Sequence, residues 1–325
     1  MASPNAVFTE LVTTTFRKHS KDIKDNVSKN NALLKRMMDK GMTRKEDGGL
    51  SIVAMLDYAN NSTYQRYSGY DVLNIGASEV ISAAEYQWRQ IAINVVASGL
   101  ELRTNSGDSR IVALAKARMK NAIRTFKNNF SADVYGDGTL PNQIGGLQVL
   151  ISDTGGGTVG GIDSSVWPFW RNLVQSAAAP IQGGGAITPG PTTMESLMLP
   201  LWLALTRGDD VPDLLVADNN YFSFYEQSQT SLKRYTGDGA GKVAGGFSSL
   251  KYKTADVIFD GGSGIPVNHM YNINSDYLEL VVHKDADMAI MDEMKPFNQD
   301  AAVIPVLWMG NLICSNRSLQ GVLKA

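Results

Sequence analysis

Residues 108–138, DSRIVALAKARMKNAIRTFKNNFSADVYGDG, decide the architecture. Apolar side chains recur at Ile111, Ala115, Met119, Ala122, Ile123, Phe126, Phe130 and Val134, a single stripe at the period of an α-helix. Asp108 suits the N-cap, and Gly136 and Gly138 stop the pattern, so a helix is expected from 109 to about 135. At ~1.5 Å per residue the rod would measure ~40 Å, more than double the usual length. Lys116, Lys120, Arg124 and Lys127 fall on a second face. Such a line of cations can meet the phosphates or carboxylates of a partner, although a solvated or salt-bridged face is the plainer reading.

Upstream of the rod the pattern changes to period two. Gly48 and Gly49 mark a turn, and LSIVAMLDY (50–58) reads as a strand. The tip NNSTYQRYSGYDVLN (60–74) is rich in Asn, Ser and Tyr, and a return strand begins near Glu79. Tyr86 and Trp88 share a face, but beyond Gln90 the apolar set moves to Ile91, Ile93 and Val95. That change of phase marks a bulge or hinge where the hairpin joins a body. Each arm, at ~17 residues, would reach ~50 Å. A lone two-stranded hairpin is marginal in water, so this one needs a surface to rest on. Tyr64, Arg66, Tyr67 and Tyr70 are the expected contact residues, Tyr being efficient contact area with few rotors. The alternative is a hairpin folded back on its own domain.

The first 45 residues are polar and contain no Gly before Gly41. Over residues 1–50, ten Lys and Arg stand against six Asp and Glu. With one short apolar cluster at 32–34, the segment reads as an arm that lies on something else, and Lys35 and Arg36 join the contact candidates. The alternative is a solvated N-terminal helix of the same domain.

Downstream of the rod, IGGLQVLISDTGGGTVGGID (144–163) and PIQGGGAITPGPTT (180–193) are Gly-rich loops around an expected short helix, 164–177, carrying Trp167 and Trp170. A second helix is expected from Thr192, with Glu195 completing a capping box, a kink at Pro200 and an end at Gly208. DLLVA (213–217) reads as a buried strand, and Asp218 caps a third helix to about 235. The alternation suggests an α/β-like unit with a small central sheet. Residues 277–297 and 301–325 read as long strands, apolar on both faces, as suits strands covered on one side by the rod.

The chain has 325 residues, 43% of them hydrophobic, and a formal net charge of -2 from 30 Lys and Arg against 32 Asp and Glu. That supplies a core and excludes, by charge alone, a dedicated nucleic-acid binder. The one cysteine, Cys314, admits no intrachain disulfide and reads as a buried hydrophobe. Neither a secretory leader nor an apolar run of ~18 residues is seen, so no membrane association is expected.

The search for chemistry finds no catalytic, cofactor-binding or metal site, and the expectation is that the chain is not an enzyme. His19, His269 and His283 lack zinc spacing. TGDGAGKV (236–243) misses a phosphate loop at both ends, with Thr236 for the first Gly and Val243 for the hydroxyl. GGSGI (261–265) ends in Ile265 where a nucleophile elbow needs Gly. Asp285, Asp287, Asp292 and Glu293 read as an exposed strand face or as partners in salt bridges.

The phrases NNSTYQRYSGYDVLN, KNNALL (29–34), AKARMKNAIRTFKNNFSADVYGDGT (115–139), QIGGLQVLISD (143–153) and GTVGGIDSSVWPFWRN (157–172) are similar to those of a group of tailed-bacteriophage major capsid proteins. The order of elements also resembles the Hong Kong 97-like fold, an α+β fold. The resemblance implies an N-arm at 1–45 and an extended β-hairpin loop at 46–82. It further implies a peripheral domain at 83–142 and 272–305, with the rod as its spine helix, and an axial α/β domain at 143–271 and 306–325. By the same resemblance, copies of the chain form pentamers and hexamers of an icosahedral shell in the virion, assembled in the host bacterial cytoplasm. The implied partners are a portal, possible separate scaffolding and decoration proteins, and packaged double-stranded DNA held by non-specific contact. No cofactor is implied. Rival readings are an encapsulin-type compartment shell and a soluble α/β hydrolase or ligand-binding protein.

Overall fold

The computed structural model describes residues 31–104, 108–229, 250–260 and 264–325, without the side chains of 102–104 and 108–116. In chain order the elements are α1 (Ala32–Asp39), β1 (Thr43–Glu46), β2 (Ile52–Asp57), β3 (Ile81–Tyr86), β4 (Arg89–Ser98), α2 (Gly99–Thr104), α3 (Asp108–Val134) and α4 (Leu147–Leu150). Then come β5 (Thr158–Val159), β6 (Ile162–Asp163), β7 (Leu173–Ser176), α5 (Met194–Leu205), β8 (Leu214–Ala217), α6 (Asn219–Ser228), β9 (Leu250–Tyr252) and β10 (Ala255–Phe259). The last are β11 (His269–Ile273), β12 (Leu278–His283), β13 (Ala289–Ile290), β14 (Ala301–Cys314) and β15 (Gly321–Lys324).

The rod forms as the apolar stripe requires: α3 runs 27 residues. Met119, Phe126, Phe130 and Val134 are buried, while Lys120 and Arg124 on the opposite side are exposed. The stripe covers one face of a sheet built on β14. β4 pairs antiparallel along one side of β14, and β12 and β13 along the other, with β1 parallel outside β12. The phase change after Gln90 now has its reason. The chain leaves β3 at Tyr86, and Ile91, Ile93 and Val95 join Ile304, Val306 and Trp308 on the covered face. Phe126 stacks on Phe130, and the Phe130 ring meets Trp308 edge-on at 4.9 Å, a geometry that adds to the area buried.

A second sheet has the order β7-β15-β11-β8-β10-β9. LLVA of β8 is buried throughout, as a central strand must be. Asp218 caps α6 as expected, its Oδ1 accepting from Tyr221 N at 2.9 Å. α5 and α6 bury Leu197, Leu201, Trp202, Tyr221 and Tyr225 against this sheet.

Four expectations need correction. Residues 164–177 are not a helix: Pro168–Trp170 is one 3₁₀ turn and Leu173–Ser176 is a strand parallel to β15. The cause is tertiary, since Trp170 is buried with its Nε1 donating to Val159 O, and β7 completes the sheet edge. The capping box at Thr192 and Glu195 does not form. The helix starts at Met194, Thr193 turns its hydroxyl back to Thr188 O, and Glu195 accepts from Gln229.

The C-terminal strands are shorter than expected, being broken by 3₁₀ turns at Lys284–Ala286 and Arg317–Leu319. β14 stays in the first sheet through Cys314, and the chain crosses between sheets at 315–320. α6 ends at Ser228, and the rest of that expected helix, like TGDGAGKV, His19, residues 1–30 and most of GGSGI, lies outside the described residues.

The fourth correction concerns the N-terminal segment. Within residues 31–46, the apolar side of the helix at 32–39 does bury itself. Asn31 caps α1 by accepting from Leu34 N, and Ala32, Leu33, Leu34 and Met37 enter the core. Four apolar residues on one face of a two-turn helix suffice once a groove receives them. β1 then adds to β12 in register Thr43↔Leu280. No helix among the described residues is long and apolar enough to cross a membrane.

Candidate intersubunit surface

The hairpin divides into a root and a tip. The root is the six-pair ladder from Ile52↔Tyr86 to Asp57↔Ile81, shorter than the ~17-residue arms expected from sequence. Ile52, Ala54, Leu56, Ala84 and Tyr86 face inward and are buried. Tyr86 donates its hydroxyl hydrogen to Cys314 O at 2.7 Å, and Glu85 N donates to Gly160 O at 2.9 Å. Gly160, at φ +60°, lies so close that a Cβ there would meet Ala84 at 2.8 Å. The root therefore rests on its own chain.

The tip does not. In residues 58–80 the hydrogen bonds stay within the loop: Ser62 to Ser78, Gln65 to Val72 and Asn74, Ser68 to Asp71. These cross-ties give the loop a defined shape without a core. Tyr64, Tyr67 and Tyr70 are exposed, as are Val72, Leu73 and Ile75. Arg66 lies among them, also exposed. Tyr70 at 106% and Ile75 at 92% have no cover among the described residues, and exposed apolar side chains gathered in one loop mark an interaction surface. The three apolar residues after Tyr70 were missed as contact candidates. Their signal was present as V-L-N-I inside a polar loop, with no periodicity that would place them in a core.

The other candidates separate. Arg36 forms an ion pair with Asp256 of its own chain, and Lys35 beside it is half-buried. One turn on, Lys40 pairs with Asp213, with burial and the neighbouring Arg36 lowering its pKa and Asp276 opposing. Arg36 is therefore engaged within the subunit, because the groove that receives α1 brings two aspartates to its basic side. On α3, Lys120 and Arg124 are exposed and Lys127 is half-buried, its pKa lowered by that burial. The Lys116 side chain lies outside the described residues.

Beneath the root, Tyr58 stacks on Phe169 and meets Trp167 edge-on, and these rings with Glu79, Ile81, Ser82 and Ile162 line an open groove of about 210 Å³. The groove is open, and its one carboxylate, Glu79, has no His, Lys or Arg beside it in the lining. Elsewhere, reactive residue types among the described residues are engaged within the chain. Burial pushes the Cys314 thiol up to about 12, away from thiolate chemistry. His269 lies against Asp153 at 2.9 Å and Val267 O at 2.8 Å, and His283 stacks edge-on with Trp88. Asp287 pairs with Lys45 at 2.9 Å.

Neither a family model nor a curated protein matches the sequence. Solved structures do match in fold. The capsid asymmetric unit of cyanophage A-1(L) aligns at TM-score 0.64 and 14% identity, covering 87% of this chain and 90% of that one. The capsid of Myoviridae phage XM1 aligns at 0.55 and 9% identity (89% and 91%), and the capsid of a native GTA particle at 0.52 and 12% (88% and 88%). Two sheets, a spine helix and a projecting hairpin, aligned over nearly the full length, give this chain the α+β Hong Kong 97-like fold of phage capsid subunits.

Proposed function

We propose that this chain is the major capsid protein of a tailed bacteriophage, self-assembling into pentamers and hexamers that close an icosahedral head shell around phage DNA. The observation that carries the reading is the loop at 58–80. It is tied into shape by its own hydrogen bonds, yet it leaves three Tyr, Val72, Leu73 and Ile75 in water. Such a surface is stabilised when a neighbour covers it, and obligate contacts of this kind bury about 2,000–5,000 Å². The fold shared with phage and GTA capsids supports the same reading.

In this reading the subunit works by shape and not by catalysis, within the virion after assembly in the host bacterial cytoplasm. Lys120, Arg124 and Lys127 offer a basic face for sequence-independent contact with packaged duplex DNA. A portal and separate scaffolding or decoration proteins are the further partners. The test is electron microscopy and size-exclusion chromatography of the purified protein across concentration and salt. Rings or closed shells are the expected result. A monomer that persists at high concentration in every buffer overturns the proposal, and shells that enclose a cargo enzyme in place of DNA point to a compartment of the encapsulin type.

A further inference from the structure

β4 is an outer strand, and among the described residues no strand pairs with its free edge. Gly99 N donates to Asp300 O at 2.7 Å, so the odd-numbered residues of β4 exchange hydrogen bonds with β14. The even-numbered residues then aim their N–H and C=O groups away from it. Two observations agree. Pro305, which has no N–H, stands opposite Asn94, and Arg118 donates to the outward carbonyl of Val96. Gln90, Ala92 and Asn94 are exposed, and their main-chain groups have no partner among the described residues. Between residues 90 and 98 the strand holds no charge, no Pro and no Gly. Sheets ordinarily blunt an edge with such residues or cover it, and an edge left bare is a template for another strand.

The same chain carries a matching segment. Residues 72–77, VLNIGA, are tied on one side: Val72 O accepts from Gln65 Nε2, Asn74 N donates to Gln65 Oε1, and Gly76 N donates to Asn74 Oδ1. The alternate residues Leu73, Ile75 and Ala77 have main-chain groups without partners among the described residues. Three free residues at period two thus face solvent in each place. They cannot easily meet within one subunit. The loop stands beyond the Asp57↔Ile81 end of the root ladder, whereas β4 leaves from the Tyr86 end. A contact in which each copy gives a strand at one place and takes one at another is heterologous and repeats into rings.

We infer that residues 72–77 of one copy add as an antiparallel strand to the 90–94 edge of the next, pairing Leu73 with Asn94, Ile75 with Ala92 and Ala77 with Gln90. The inference rests on the shell-subunit reading and adds where and how adjacent subunits join. Residues directly opposite share a face. Leu73 and Ile75 therefore land beside Ala92, over the half-buried Pro305 and Leu307 that stand opposite Asn94 and Ala92 in β14.

Two variants of the full chain test this. Ala92→Pro removes an outward N–H and leaves the β14 ladder intact, a position where an edge strand tolerates Pro. Its expected outcome is an unchanged thermal midpoint with at least a tenfold loss of rings and shells. The double variant Ile75→Cys with Ala92→Cys places thiols on facing strands, within the 4.4–6.8 Å Cα separation a disulfide accepts. The native Cys314 is buried and does not interfere. Diamide oxidation of assembled particles is expected to give covalent multimers up to pentamer or hexamer, absent from either single variant. Wild-type shells alongside normal assembly of folded Ala92→Pro, or alongside an uncross-linked double variant, overturn the strand addition and leave the shell reading standing. If Ala92→Pro fails to fold, the cross-link alone decides. Wild-type protein that never assembles removes both.

Discussion

Arg317 is fully buried at 0% exposure, and among the described residues it pairs with no carboxylate. Its guanidinium donates to Leu150 O at 2.7 Å, Trp170 O at 3.0 Å, Gly156 O at 3.3 Å and Asn172 Oδ1 at 3.0 Å. Burial lowers its pKa, yet a guanidinium stays charged, so the fork is held by dipoles alone. Those acceptors come from α4, the Gly-rich loop and the turn before β7, segments whose composition specifies no regular structure. Arg317→Ala leaves up to four buried acceptors short of a donor, at about 3–5 kcal/mol. Arg317→Lys supplies a point donor in place of a planar fork and recovers only part of that. Urea midpoints of the unassembled variants measure both. An Arg317→Ala midpoint equal to wild type would mean that water replaces the side chain without cost. Nothing in the local sequence SNRSLQ marks this role, because an Arg in a polar turn reads as solvated.

At the scale of the element, the hairpin shows two halves under different physics. The root alternates buried and exposed residues over Ile52–Asp57, and that period was legible in the sequence. Its length was not, because residues 58–80 hold side-chain to main-chain bonds in place of a ladder. Since the tip bonds only to itself, removing 60–70 takes nothing from the core. The expected outcome is a deletion variant with wild-type circular dichroism and a thermal midpoint within a few degrees, but no closed shells by electron microscopy. Normal shells from this variant would show that the Tyr-bearing tip is dispensable. The long helix is the converse case. Its stripe and its Gly stop were both readable, and α3 ends within one residue of expectation, because an amphipathic rod carries its own periodicity wherever it packs.

At the scale of the molecule, the segment at 31–46 joins the two sheets. α1 is clipped by Arg36 to Asp256 and by Lys40 to Asp213, at the starts of β10 and β8, while β1 extends the other sheet alongside β12. The strap therefore resists separation of the sheets, partly through charge. The four side chains are partly exposed, so the pairs contribute about 1–2 kcal/mol together. Arg36→Ala with Lys40→Ala should lose that amount at low salt, and the gap to wild type should narrow toward 1 M salt, where the screening length falls to about 3 Å. Chemical-denaturation curves at several ionic strengths test it. Equal stability of the two proteins at low salt would sink the electrostatic part of the strap.

The sequence alone determined those features whose cause is local: the apolar stripe of the rod, the alternation of the hairpin root, the Asp218 cap and the buried run of β8. Tertiary structure decided where neighbours overrule local preference. It turned the Trp-bearing stretch from helix to strand because β15 offered a parallel edge to Leu173–Ser176. It buried α1 because a groove and two aspartates awaited it. It turned the main-chain groups of Gln90, Ala92 and Asn94 outward from β14, a property of the ladder's parity that no single strand encodes. The reason is the same in each case: a residue's own torsional and apolar preferences travel with it, whereas pairing, burial and ionic partners belong to the residues it meets.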